Sequence, residues 1–311
     1  MNIQQFQYVL ALAEYRHFQT AAQKCFVSQS TLSTMIGKLE EELGIQIFDR
    51  KKKPVGLSQE GKVLLSQLKR IVKEIDSLEE LTQELKGEVK GSLSISVIPT
   101  IAPFLLPRFL PNFARQFPDL QVDVREQNTS EIIRHLHRRE LDIGILSTPV
   151  QEEELVEHHL YDEPFVYFNM QQDEKGTVRS KNIDVSRLCL LEEGHCMRTQ
   201  ILELCDFYEK ELNEHLNFRF RAGSVHSLLR FVIANRASTL LPYLAALELD
   251  AEHQTKVSHF EAPMPYRQVG LVVHRHFVKD KLRKHLQHDI QEAILPLLEM
   301  QTDEGIHLSP M

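Results

Sequence analysis

Along the first 45 positions, apolar residues recur at helical spacing in three blocks. Ile3, Phe6, Val9, Leu10 and Ala13 predict a helix ending near Tyr15-Arg16, and Phe18 to Cys25 predicts a second, short one. After a turn at Phe26-Val27, Ser28 is a suitable N-cap for a third helix from Gln29 to Leu43, which Gly44 stops. Leu32, Met35, Ile36, Leu39 and Leu43 form its inner stripe, leaving Gln29, Ser30, Thr31, Ser33, Thr34 and Lys38 outward. Ile45 to Phe48 and Val55 to Leu57 then read as two short strands, joined by a turn that carries Arg50, Lys51, Lys52 and Lys53.

The pattern changes after Ser58. Leu64, Leu68, Ile71, Ile75, Leu78 and Leu85 follow steps of four and three, interrupted at Thr82, which is the heptad seam of a coiled coil. Positions 87–90 read as a hinge. Beyond it, strands are expected at Leu93–Val97, Gln121–Glu126, Asp142–Leu146, Phe165–Asn169, Cys189–Leu191 and Phe218–Arg221, with helices around Phe104–Phe117, Ser130–Arg139 and Ser227–Ala234. The apolar run Val269 to His274 is placed to return to the first sheet. Strands alternating with helices imply a mainly parallel α/β sheet.

Composition narrows this picture. A length of 311 residues allows two or three modules, and 42% hydrophobic content allows a sizeable core. The net charge of -8 argues against a basic coat but hides four consecutive cations, residues 50–53. The expected location is cytoplasmic, because neither a run of eighteen apolar residues nor a signal-peptide pattern is visible. Four cysteines in such a chain make no disulfide scaffold; without a CxxC pair, no metal site and no cofactor are expected.

An outward face rich in small hydroxyl and amide side chains suits a helix in the DNA major groove, and a basic wing suits phosphate. Two such motifs joined through the heptad helix would meet a two-fold symmetric operator. The other feature with chemical content is Glu192-Glu193-Gly194-His195-Cys196-Met197-Arg198, where a thiol lies between an imidazole and a guanidinium. Cys205 follows nine residues later, with Ile201, Leu204, Tyr208 and Leu212 placing it beside the apolar face of a short helix. Spacing alone leaves open two unrelated thiols or a redox pair. On one helix their Cα atoms would stand about 13 Å apart at roughly 1.5 Å per residue, whereas a disulfide tolerates less than about 7 Å. A bond between them would demand unwinding.

Residues 1–90 resemble a LysR-type transcriptional regulator. The motifs are Thr20-Ala21-Ala22, Val27-Ser28-Gln29-Ser30, Leu39-Glu40-Glu41-Glu42-Leu43-Gly44, Ile47-Phe48-Asp49-Arg50 and Leu57-Ser58-Gln59-Glu60-Gly61, with Ser30 where proline is frequent and Thr34 where arginine is. The resemblance implies a winged helix-turn-helix domain, all-α with a small β-wing (1–58), a dimerising coiled-coil linker helix (58–86), a hinge (87–90) and an α/β two-lobed, periplasmic-binding-protein-like regulatory domain (91–311). Its first lobe would comprise 91–161 and 268–311, and its second 162–267.

In the second half, Gly194 to Arg198, the spacing to Cys205, Pro99-Thr100, Glu126 to Thr129 and Tyr266-Arg267 before Val269-Gly270-Leu271 resemble the hydrogen-peroxide-sensing members of that family. The resemblance implies that Cys196 is the peroxidatic thiol and Cys205 the resolving one, with Thr100, Thr129, His195 and Arg267 binding and polarising peroxide. It also implies a non-enzymatic activator with double-stranded DNA, RNA polymerase, hydrogen peroxide, its own copies (homodimer, then homotetramer) and a cellular thiol reductant as partners, and no membrane. Taken singly, Thr100 and Thr129 also fit helix N-caps, Arg267 a solvated strand end and His195 a surface residue. The alternatives are a LysR-type regulator with a small organic effector in its cleft, and a thiol peroxidase. Thr199, where aspartate is common, and Asn235-Arg236-Ala237-Ser238, where a glycine-rich turn is usual, depart from close relatives.

Overall fold

Ser28 starts the third helix as expected: its Oγ accepts from the Thr31 amide (3.1 Å), and Gly44, at φ 67°, ends it. The structure, a computed structural model, describes residues 1–86, 89–172, 174–205, 221–298 and 305–310, the side chains of residues 79, 80, 83, 84 and 205 excepted. The chain divides into two units, Met1–Gly87 and Glu88–Met311.

In the first unit, helices α1 (Ile3–Tyr15), α2 (Phe18–Lys24) and α3 (Gln29–Leu43) enclose a core of Val9, Leu12, Ala21, Leu32, Ile36 and Leu39. The wing strands β1 (Phe48–Asp49) and β2 (Gly56–Leu57) are shorter than expected and pair antiparallel. Glu40 of α3 holds them, its Oε1 accepting from the amides of Ile47 (2.8 Å) and Phe48 (3.1 Å). The long helix α4 (Gln59–Lys86) then begins where Gly61 passes Ile47 so closely that a Cβ would lie 2.1 Å from its carbonyl oxygen. Leu68 of the heptad seam packs into the trihelical core, while Leu78 (64%) and Leu85 (78%) are exposed.

The second unit opens with a β-α-β-α-β succession: β3 (Gly91–Val97), α5 (Ala102–Gln116), β4 (Leu120–Glu126), α6 (Thr129–His137) and β5 (Ile143–Thr148). It continues through β6 (Leu155–Asn169), β7 (Gly176–Val178), α7 (Cys196–Cys205), α8 (Val225–Ala234), β8 (Ser238–Pro242), α9 (Tyr243–Ala246), α10 (Ala251–Gln254), β9 (Val257–Phe260), β10 (Met264–His274), α11 (Asp280–Ile294) and β11 (Gly305–His307). The strand order is β4-β3-β5-β10-β6-β9-β7, with β8 on β6 and β11 on β10.

The sheet is mixed, not mainly parallel. β3 runs parallel to β4 and β5, but β10 runs antiparallel to both β5 and β6. A chain that crosses between two groups of strands and returns must run both ways, so the two long crossing strands oppose each other. Val269 to His274 lies in β10 between β5 and β6, and thus in the first sheet as expected. Cys189–Leu191 forms no strand, only isolated bridges from Leu188 to Ser238 and from Leu191 to Ala222. The expected strand at Phe218–Arg221, half of the hinge (87 and 88) and the stripe positions Tyr208 and Leu212 lie wholly or partly outside the described residues.

Candidate functional site

Strand register assembles the site. Arg267 of β10 stands opposite Glu163 of β6; two residues on, Val269 stands opposite Tyr161 of β6 and Ser147 of β5. Side chains of paired residues, and of residues two apart, share a sheet face, so Ser147, Tyr161, Glu163 and Arg267 converge on one side. Thr100 joins them from the turn beyond the carboxyl end of β3.

Arg267 is 1% exposed. Its Nε and Nη2 donate to Glu163 Oε2 (3.0 and 2.7 Å), Nη1 to Thr100 Oγ1 (3.0 Å) and Nη2 to the Thr100 carbonyl (3.1 Å). Glu163 is equally buried and also accepts from the Leu244 amide (3.0 Å). Burial works against the charge on Arg267, but attraction to Glu163, Cys196 and Tyr161 outweighs it and raises the guanidinium above its ordinary range. Removing one member of so buried a pair strands the other, at about 3–5 kcal/mol. Arg267 is therefore no solvated strand end, and Thr100 caps no helix, since Ile101 occupies that position before α5.

Cys196 is the first residue of α7 and Cys205 the last. The helix follows Gly194, whose φ of 96° turns the chain sharply before it. Cys196 is 7% exposed, and its Sγ lies 3.6 Å from the Ser147 Oγ in the buried interior. The neighbouring Arg198 donates to the Leu191 carbonyl (3.0 Å); a guanidinium that acts electrostatically on Cys196 comes from Arg267, distant in sequence. His195 is half-buried, and burial lowers its pKa, with Glu192 opposing, so the ring is neutral at pH 7. Thr129 follows the true N-cap, Asn128, which builds a capping box with Glu131. The carboxyl ends of β3 and β4 pair at Val97 and Glu126, which puts Thr100 and Thr129 at one end of the sheet; Arg267 bonds both Thr100 and Glu163, and among the described residues no hydrogen bond joins Thr129 to them.

Ser147, Glu163 and Tyr161 were not anticipated. Asp162-Glu163 within the otherwise apolar stretch Leu160 to Phe168 hints at a buried ion pair, and Ser147-Thr148 at a strand's carboxyl end is a favoured place for ligand contacts; Tyr161 gave no such signal. Its hydroxyl is buried without a hydrogen-bond partner among the described residues, and burial, then Glu163, push its pKa well above 10 despite Arg267. Burial likewise pushes the Cys189 thiol up to about 11, which leaves it inert at neutral pH.

In the first unit, Gln29, Ser30, Thr31, Thr34 and Lys38 face outward and Ser33 is half-buried. Ser30 and Thr31 hydroxyls meet Ser28 Oγ at 2.9 and 2.8 Å. The four wing cations are not equivalent: Arg50 pairs with Glu40 (2.8 Å) and reaches Ser33 Oγ (3.4 Å), and Lys52 pairs with Asp49 (3.5 Å). Lys51 and Lys53 are exposed.

Residues 3–62 match the bacterial regulatory helix-turn-helix protein model of the lysR family, and residues 86–288 match the LysR substrate binding domain. The chain belongs to the LysR family of bacterial helix-turn-helix regulators. Within that family it is similar to the hydrogen peroxide-inducible genes activator of Dickeya chrysanthemi, at 33% identity over 92% of this chain and 96% of that one. Among solved structures it is similar to a full-length OxyR variant from Pseudomonas aeruginosa (TM-score 0.72, 30% identity, 94% of this chain and 98% of that one). A hydrogen-peroxide-bound OxyR mutant from Corynebacterium glutamicum matches with a TM-score of 0.60 and 26% identity, over 95% and 93%. In the described residues, no helix is long and apolar enough to cross a membrane, and no group of three His, Cys, Asp or Glu is placed to hold a metal ion.

Proposed function

We propose that this protein is a transcriptional regulator that senses hydrogen peroxide through Cys196 and Cys205. The observation that carries the reading is that α7 starts at one thiol-bearing residue and ends at the other, with Cys196 buried against the Thr100, Ser147 and Arg267 cluster. The similarity to peroxide-inducible activators supports it.

The Cys196 thiolate attacks one peroxide oxygen; an S–O bond forms, the O–O bond breaks, and the other oxygen leaves as hydroxide and is protonated to water. Arg267 supplies positive charge, and because Thr100 Oγ1 accepts from Arg267, its own proton is available to the oxidant. Neutral His195 and Thr129 complete the set of donors proposed for peroxide. The Cys205 thiolate then attacks the sulfenic sulfur; an S–S bond forms, the S–O bond breaks, and the oxygen leaves as hydroxide and is protonated to water. Nine residues of helix separate the two Cα atoms by about 13 Å, so closure to about 6 Å unwinds α7 and converts oxidation into a change of shape.

The same reading extends to the rest of the machinery. Residues 1–58 bind a two-fold symmetric DNA site, with Gln29, Ser30, Thr31, Ser33, Thr34 and Lys38 at base edges and Arg50 to Lys53 along phosphate. The exposed leucines of α4 join two copies, and the domain boundaries are 58, 86 and 90, with lobes exchanging near 161 and 267. Pairing into tetramers, contact with RNA polymerase, a cytoplasmic setting and resetting by a cellular thiol reductant belong to the same reading.

Mass spectrometry of the full chain before and after stoichiometric peroxide, coupled to DNA binding at stated salt, tests it. Wild type forms the Cys196–Cys205 link and changes its DNA affinity, and Cys205→Ser accumulates sulfenic acid on Cys196. Thiols left unlinked by peroxide sink the reading.

A further inference from the structure

Ser147 is completely buried, and its hydroxyl lies against a single sulfur, that of Cys196. While the sulfur carries its proton, the thiol donates to the Ser147 Oγ, a weak bond that gains little. The hydroxyl gains much more once the sulfur is an anion, because it rotates and donates a charge-assisted hydrogen bond.

The other groups facing Cys196 leave that task open. Arg267 directs Nε and Nη2 at Glu163 and Nη1 at Thr100, so its charge is largely balanced by a carboxylate that shares the sheet face. His195, before α7, is neutral at pH 7. Tyr161 on β6 keeps its proton, and among the described residues its hydroxyl has no hydrogen-bond partner. The thiolate thus forms beside a guanidinium whose hydrogen bonds go to Glu163 and Thr100, in a dry interior where an anion without a donor is costly.

We propose that the Ser147 hydroxyl donates to the Cys196 thiolate and so sets how reactive that sulfur is toward peroxide. The proposal rests on the reading of Cys196 as the sensing thiol but is tested without peroxide. The experiment is the pH dependence of Cys196 alkylation by iodoacetamide in the reduced full-length protein, followed on the Cys196 peptide by mass spectrometry. Wild type is compared with Ser147→Ala and with the isosteric pair Ser147→Thr and Ser147→Val, which differ in the hydroxyl but hardly in volume. Melting curves establish which variants are folded.

Loss of the hydroxyl, in Ser147→Ala and Ser147→Val, moves the half-maximal rate to higher pH and slows alkylation at pH 7 about tenfold, as expected for one charge-assisted hydrogen bond. Ser147→Thr follows wild type. Half-maximal pH that is the same in the folded variants with and without the hydroxyl overturns the proposal, as does a shift to lower pH. A peroxide response that fails while the alkylation profile shifts as expected indicts the sensing reading and leaves the role of Ser147 standing.

Discussion

Gln200, buried in α7, donates from Nε2 to the main-chain carbonyl of Leu308 (2.8 Å). This bond ties the helix that begins at Cys196 to the segment following β11, which pairs parallel with β10 from Met264 to Tyr266, next to Arg267. The Leu308 amide in turn donates to the Tyr266 carbonyl (2.9 Å), and Leu308 is 2% exposed. Helix, strand and floor of the site are therefore one hydrogen-bonded stack.

In the proposed mechanism oxidation unwinds α7 and breaks the bond from Gln200, so the bond would stabilise the reduced form alone. Gln200→Leu removes it and strands the Leu308 carbonyl, a loss of about 1 kcal/mol to the reduced state. Destabilising the reduced side favours the disulfide, and the Cys196–Cys205 midpoint becomes more negative by about 20 mV. Equilibration against thiol–disulfide buffers measures it. A midpoint that stays or moves to less negative values would rule out this link between tail and switch.

The wing offers a second test, because its cations divide into two classes. Lys51→Ala and Lys53→Ala remove exposed charge and should weaken binding to all DNA sequences alike, each lowering the slope of log affinity against log salt by about one. Arg50→Ala also breaks the pair with Glu40, the residue that holds the wing strands. It should therefore lower the melting temperature as well, and lysine variants that alter discrimination between operators would show that the wing contacts bases.

How far the residues foretold this depends on the range of the interactions. The helix-turn-helix was legible because its signals are local: Ser28 caps within three residues, and Gly44 stops the helix at φ 67°. The flanking residues made Cys196 a candidate, yet Arg198 turns to the Leu191 carbonyl, and Arg267 reaches the thiol's surroundings through its register with Glu163. Ser147 and Tyr161 meet the site only because β5, β10 and β6 lie side by side, which no short window contains. The mixed sheet escaped for the same reason, since helix–strand alternation says nothing about where a returning strand inserts.

Arg236 occupies a conformation suited to glycine. It follows α8 with φ 50°, and the Ala237 amide closes the turn on the Val232 carbonyl (3.0 Å). A left-handed conformation costs a side-chain-bearing residue about 1–2 kcal/mol, offset in part by the greater freedom glycine has when unfolded. Arg236→Gly should stabilise the protein by about 0.5–1 kcal/mol, read as a higher urea midpoint without a change in slope. A lower midpoint would mean that the arginine side chain contributes more than its backbone costs.

His274 ends β10 with its ring pushed down from 6.5 to about 4, chiefly by burial and then by Arg139 and His276, with Arg275 acting the same way and Glu154 opposing. The His276 amide donates to His274 Nδ1 (3.2 Å), which requires that nitrogen to be unprotonated. Unfolded, the ring titrates near 6.5, so between about 6.5 and 4 the unfolded chain binds more protons than the folded one. Stability contributed here is complete above the unfolded value and is lost as the pH falls toward the folded one. His274→Gln keeps an acceptor for the His276 amide but cannot titrate, so urea midpoints of the variant should fall less than those of wild type between pH 7 and about 4.5. Glu154 also pairs with His137 and Arg275, and both partners are present in wild type and variant. Midpoints that fall in parallel would place the acid sensitivity of this edge elsewhere than in His274.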